Sequence, residues 1–194
     1  MTKIIGLTGG IGSGKTMIAN YIKSLGIPVY IADEEAKKLM QTTEIIEAVK
    51  KEFGDEVMDN NELHREKLAQ LVFNNPDKLQ KLNNIVHPAV KKHFDTWVLA
   101  NQNFPFVVKE AAILFESGSY KYCDSIITVT APLETRIQRV LARDKTNRES
   151  ILQRMQNQWT DEQRIAKSNY VIHNLSVKES QKQTNEILKL LKNQ

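Results

Sequence analysis

Short apolar runs rich in Ile and Val recur at residues 3–8, 28–31, 104–109, 125–130 and 170–173, each closed by polar or turn-forming residues. These are strand lengths, and between them lie stretches whose apolar residues fall three and four apart, the period of a helix. Strands alternating with helical patterns predict βαβ units. The expected fold is therefore α/β, a five-stranded parallel sheet with helices on both faces in a three-layer arrangement.

The alternation lapses between the second and third runs, where residues 33–103 carry no convincing strand and read as several helices. Thr43 is placed to cap one that carries Ile45, Ile46, Val49 and Phe53, with Gly54 as its stop; Leu68, Leu71, Val72 and Phe73 mark another that ends near Asn75-Pro76. After the fourth run, 133–143 reads as a helix, 145–147 as a turn and 148–157 as a second helix, an arginine-dense hairpin suited to a lid. Ser176-Val177-Lys178-Glu179 has the form of a capping box, opening a last helix with Ile187, Leu188, Leu190 and Leu191 on one side. No repeat or Pro/Gly-rich linker divides the chain. One domain over 1–194 is expected: a core of 1–32, 104–132 and 169–194, a helical insertion over about 33–103 of a length that usually covers a substrate, and a lid over about 133–168.

One loop brings chemistry to this pattern. Gly9-Gly10-Ile11-Gly12-Ser13-Gly14-Lys15-Thr16 matches the P-loop form G-x-x-x-x-G-K-[ST], with a strand-like run before it and an amphipathic pattern after it. Such glycines let successive N–H groups point at phosphate oxygens, and the helix N-terminus adds partial positive charge. In this arrangement Lys15 reaches the β- and γ-phosphates, and the Thr16 hydroxyl binds Mg²⁺. GTPases carry Asn-Lys-x-Asp and Asp-x-x-Gly motifs, and neither occurs in this chain. A small kinase remains, its acceptor held by the insertion.

Composition narrows the classes further. At 194 residues with 41% apolar and 26% charged residues, the chain is ordinary globular protein, and no window has the ~18 apolar residues of a membrane span. The strand-like run beginning at Lys3 leaves no room for a signal peptide, so a cytoplasmic location is expected. Cys123 is the only cysteine, which excludes an intrachain disulfide and a multi-thiolate zinc site. The net charge of +4 is spread along the chain. It suits anionic small substrates at least as well as nucleic acid.

Gly6-Leu7-Thr8-Gly9-Gly10-Ile11-Gly12-Ser13-Gly14-Lys15 resembles the opening of dephospho-coenzyme A kinases more closely than it does the generic P-loop. The resemblance continues through Ile31-Ala32-Asp33, His87-Pro88, Ala112-Ile113-Leu114-Phe115-Glu116, Arg139 and Arg143, and on to Gln158 and Asn174. Departures from the family pattern are Ile31 for an Asp, Glu110 for a frequent Asp, Ala112 for a Pro, Arg136 for a common Gln, and Ser168-Asn169 for Ala-Asp.

The resemblance implies transfer of phosphate from ATP, with Mg²⁺, to the ribose 3′-hydroxyl of dephospho-coenzyme A. It implies Asp33 as general base, with Lys15 and Arg143 as the other catalytic groups. It implies nucleotide contacts from Gly10, Ile11, Gly12, Ser13, Gly14, Lys15, Thr16, Met17, Arg139 and Asn174, and acceptor contacts from Asp33, His87, Glu110 and Leu114. The expected partner is the small-molecule acceptor, with neither nucleic acid nor membrane. A monomer is expected, with a homo-oligomer as the alternative. Arg136 and Arg148 are expected at the surface, and Trp97 and Trp159 in packing. Competing readings are another nucleoside or nucleotide kinase, or an ATPase stimulated by nucleic acid.

Overall fold

In the computed structural model, residues 2–60, 62–73 and 75–193 are described; Met1, Asn61, Asn74 and Gln194 lie outside the described residues. The first half of the chain runs β1 (Lys3–Thr8), α1 (Lys15–Ser24), β2 (Val29–Ile31), α2 (Ala32–Leu39), α3 (Thr43–Phe53), β3 (Met58–Asp59), β4 (Glu62–Leu63), α4 (Arg65–Phe73) and α5 (Pro76–Ala100). The second half runs β5 (Phe106–Glu110), β6 (Ser125–Thr130), α6 (Leu133–Arg143), α7 (Arg148–Gln156), α8 (Asp161–Ala166), β7 (Tyr170–His173) and α9 (Val177–Lys192). The chain divides into two compact units, residues 1–31 with 101–194, and residues 32–100.

The larger unit is built on one sheet in the order β2-β5-β1-β6-β7, with every neighbouring pair parallel. β1 is the middle strand, and its residues 5–8 are all buried, as a strand covered on both faces must be. Ile5, Leu7, Val108, Ile127 and Ile172 of the strands pack with Ile18 and Ile22 of α1 and with Ile187 and Leu191 of α9. Ser176 caps α9 by accepting from Glu179 N–H, as the sequence signature predicts. The strand boundaries shift at two prolines. β2 starts after Pro28, whose carbonyl still accepts from Val108 N–H, and β5 starts after Pro105. A proline has no N–H to donate to a ladder.

The smaller unit is helical, but it holds a strand pair that the pattern did not announce. β3 and β4 form a two-residue antiparallel ladder, Met58 opposite Leu63 and Asp59 opposite Glu62, and Asn60 turns there at φ 46°. Asn is one of the few non-glycine residues that tolerate this region. The core of the unit is Ile45, Val49, Phe53, Val57, Leu68 and Val72, with Leu82, Ile85 and Ala89 of α5 against it. The cap of α3 is Thr42 rather than Thr43, and Gly54 closes the helix at φ 82°. In the larger unit α8 also escaped the periodic reading, being only one and a half turns long. Its full capping box, Thr160 with Gln163, is nevertheless legible in the sequence.

Candidate active site

β1 delivers the phosphate-binding loop. Its last residue, Thr8, donates its hydroxyl to Ala111 O at 2.9 Å, which ties the end of β1 to the end of β5. The loop folds back on itself through Ser13 N–H to Gly10 O at 3.0 Å. Gly12 and Gly14 take φ of 77° and 90°, left-handed values that a side chain would strain. Gly14 is also the N-cap of α1, with no side chain supplying a cap. The free N–H groups of the first turn are what a phosphate would take up. Lys15 stands 3.6 Å from Glu110 Oε1 at the end of β5, and Glu110 is 2% exposed. The ion pair holds the ammonium at the sheet's carboxyl edge, the side on which open α/β sheets bind ligands. Thr16 is exposed, whereas Met17 packs against the main core.

The loop is gripped from outside as well. Asn174, just past β7, donates its side-chain N–H to Ser13 O at 2.8 Å, while its Oδ1 accepts from the Ser180 hydroxyl of α9 at 2.9 Å. Arg139 of α6 reaches Ser13 O at 3.4 Å and Asn174 O at 3.0 Å. Asn174 is buried, so its side chain props the loop from beneath. Both polar groups of the Ile11 backbone are engaged, with Gln158 Oε1 accepting from its N–H at 3.1 Å and Arg136 Nε donating to its carbonyl at 2.9 Å.

Arg136 corrects an expectation, because it is 8% exposed rather than at the surface. α6 presents Arg136, Ile137 and Val140 on its buried face, and the i, i+4 spacing of Arg136 and Val140 was the available signal. Its Nη1 lies 3.0 Å from Asp161 Oδ2. Arg164, 1% exposed, meets Asp161 at 3.3 Å and Glu116 at 3.2 Å. Burial lowers the Arg164 pKa from its usual value, opposed by the charges of Glu116 and Asp161. Glu116 also accepts from Trp159 N–H at 2.8 Å, and the Trp159 ring stacks on Phe115 with 5.1 Å between centroids. Sequence reasoning named neither Arg164 nor Asp161.

Arg143, at the end of α6, is 66% exposed and bound through two nitrogens to Asp144, whose hydrogen bond raises the Arg143 pKa. Arg148 is likewise exposed and paired with Glu134. The Leu114 side chain is fully buried against Gly6, leaving it no open face for an acceptor. Cys123 lies beside the same glycine, and burial pushes its thiol up to about 11. In the helical unit, Asp33 is the second residue of α2 and His87 lies midway along α5 beside Pro88, both exposed.

In the larger unit a cleft of about 940 Å³ opens beside Arg136, lined among others by Thr130, Leu133, Met155, Trp159 and His173. Among the described residues no three His, Cys, Asp or Glu gather as metal ligands. No described helix is long and apolar enough to cross a membrane.

A parallel sheet in this order, with a glycine loop and its lysine between β1 and α1, defines a P-loop kinase. The class has solved counterparts in a shikimate kinase from Bacteroides thetaiotaomicron (TM-score 0.52, 13% identity, covering 98% of each chain), a likeness of fold alone. Within the class the match is specific. The dephospho-CoA kinase family model covers residues 3–179. Dephospho-CoA kinases of Bacteroides fragilis and Fusobacterium nucleatum are 39% and 38% identical over 174 residues each, covering 88% and 89% of this chain and 83% and 90% of theirs. A solved structure from Thermus thermophilus superposes with a TM-score of 0.89 at 33% identity, covering 97% of both chains. The chain belongs to the dephospho-CoA kinase family, and it is a kinase of coenzyme A biosynthesis.

Proposed function

We propose that the chain transfers the γ-phosphate of ATP to the ribose 3′-hydroxyl of dephospho-coenzyme A, giving ADP and coenzyme A. The observation that carries the nucleotide half is the loop from Gly9 to Thr16, with its left-handed glycines and with Lys15 held by buried Glu110. Family membership carries the acceptor half.

The acceptor 3′-oxygen attacks the γ-phosphorus and the bond to the β–γ bridging oxygen breaks, that oxygen leaving with ADP. The acceptor proton passes to the Asp33 carboxylate as general base. Lys15 neutralises charge that builds on the transferring group. Arg139, set beside Ser13, adds a second cation at the loop, and Arg143 reaches the phosphates once it exchanges its partner Asp144. His87 and Glu110 act toward the acceptor.

The residues present fit Mg²⁺ held in its common manner, by substrate phosphates and few protein groups, since Thr16 offers an exposed hydroxyl at the loop and no carboxylate cage exists among the described residues. The ion shields phosphate charge when bound. The protein acts as a monomer in the cytoplasm.

A coupled assay that follows ADP production in parallel reactions with dephospho-coenzyme A, adenosine, nucleoside monophosphates and shikimate tests the reading. Turnover is expected with dephospho-coenzyme A alone, and the product should carry the new phosphate on the ribose 3′ position. Preference for any other acceptor overturns it.

A further inference from the structure

The structure gives the long side chain of Arg136 two tasks. Its Nε donates to Ile11 O at 2.9 Å, and its Nη1 meets Asp161 at 3.0 Å. A Gln at this position has its amide nitrogen where the Arg Nε now sits, so it can serve the first task but not the second. The guanidinium also lies against Gly10, where an added Cβ would run into Arg136 Nη2 and Cζ. The Nη1 of Arg164 is next, at 3.2 Å from that Cβ. Gly10 is not among the glycines of positive φ, so its backbone conformation does not itself demand glycine. The guanidinium does.

We propose that Arg136 is a positioning residue for the nucleotide, holding the Ile11-Gly12 peptide in place through the Ile11 carbonyl and backed by the largely buried Asp161–Arg164–Glu116 cluster, and that Gly10 is required because this arginine occupies the space a side chain would need. The proposal rests on the reading of the loop as the ATP site.

A purely stabilising role explains the cluster poorly. Buried ion pairs are weak contributors to stability, and two atoms here, Arg164 Nε and Glu116 Oε2, are buried without a hydrogen bond. Positioning explains its direction. The cluster ends at Ile11, whose N–H is simultaneously taken by Gln158 from the segment that leads into α8, so one residue of the loop is clamped at both polar groups. A loop fixed beforehand in its binding shape spares the nucleotide the work of selecting that shape. A loop that samples others lowers apparent affinity by the fraction of time it is competent, while a saturated enzyme regains its rate.

ATP affinity is measured by calorimetry without acceptor, alongside kcat, KM and thermal melting, for Arg136→Met, Arg136→Gln, Gly10→Ala and the Gly10→Ala/Arg136→Gln double variant. Arg136→Met keeps the stem and loses every donor, so it should weaken ATP binding about tenfold with kcat at saturation within about threefold. Arg136→Gln, which keeps a donor for Ile11 O, should recover affinity to within about threefold of the parent. Gly10→Ala should lose about tenfold or more in the parent, and less than about threefold when added to Arg136→Gln, a non-additivity expected only of groups that touch. A folded Arg136→Met variant with parental affinity overturns the positioning role, and a Gly10→Ala loss of equal size in both backgrounds overturns the steric link. Because ATP binding is read without acceptor, failure of the dephospho-coenzyme A assay leaves these affinities interpretable.

Discussion

The phosphate loop and the helical unit of residues 32–100 are built on different principles. Around the loop, side chains far apart in sequence close on backbone atoms, with Asn174 on Ser13 and Arg136 and Gln158 on Ile11. In the helical unit the order comes from apolar faces of α3, α4 and α5, and the candidate residues Asp33 and His87 stand exposed on their helices. The nucleotide half is thus shaped before its ligand arrives. On the reading proposed above, the helical unit holds the acceptor, and its groups begin their work when a ligand orders them.

Asp33→Asn makes the sharpest break in this contrast. It should lower turnover by about 10² to 10⁴, the range for one general base, with ATP affinity near that of the parent. Single-turnover kinetics with calorimetry in parallel separate the two quantities; a variant as fast as the parent removes Asp33 from the chemistry and leaves Glu110 as the next carboxylate to test.

Leu68→Ala probes the apolar principle, since Leu68 is buried in the core of the helical unit. The expected loss is about 2 to 5 kcal/mol of stability in denaturant unfolding, the usual cost of such a cavity. A loss below about 1 kcal/mol would mean that the unit collapses into the space and that its packing is softer than described.

Lys15→Ala probes the loop in the same spirit. Turnover should fall by roughly 10² to 10³, the scale of one charge-stabilising donor, while the melting profile stays that of the folded parent. Normal turnover in a folded variant would contradict the role of Lys15.

Arg143→Ala should give the smallest effect, because Arg143 sits on Asp144 in this structure and must exchange partners to meet phosphate. Transfer at saturation should slow about tenfold, one charge-assisted hydrogen bond made late, with nucleotide affinity little altered. Lost affinity with an unchanged rate would make Arg143 a contact of the resting complex, in the class of Arg139.

The legible parts of this protein were those encoded by neighbours in the chain. β1, β6 and β7 lie where their apolar runs predict, α6 spans 133–143 as expected, and the loop from Gly9 to Thr16 is recognisable from its glycines and the strand before it. Caps and periodicity are local, so their residues carry their own signal. The β3–β4 pair was invisible because two-residue strands have no period to read.

What only the tertiary structure decided is which charges turn inward. Arg136, Arg143 and Arg148 look alike along the α6–α7 stretch, yet Arg136 is buried on Ile11 and Asp161 while the other two pair at the surface. The chain also hides Arg164 and turns Asn174 under the loop. A buried charge is tolerated only where distant segments bring it partners, and those partners come together only once the strands have closed into the sheet. Sequence alone determined the fold class, the family and the phosphate loop, because each is carried by short stretches that are legible one by one, without knowing which of them meet in space. The grip on that loop belongs to the folded molecule, because its hydrogen bonds join residues more than 100 positions apart.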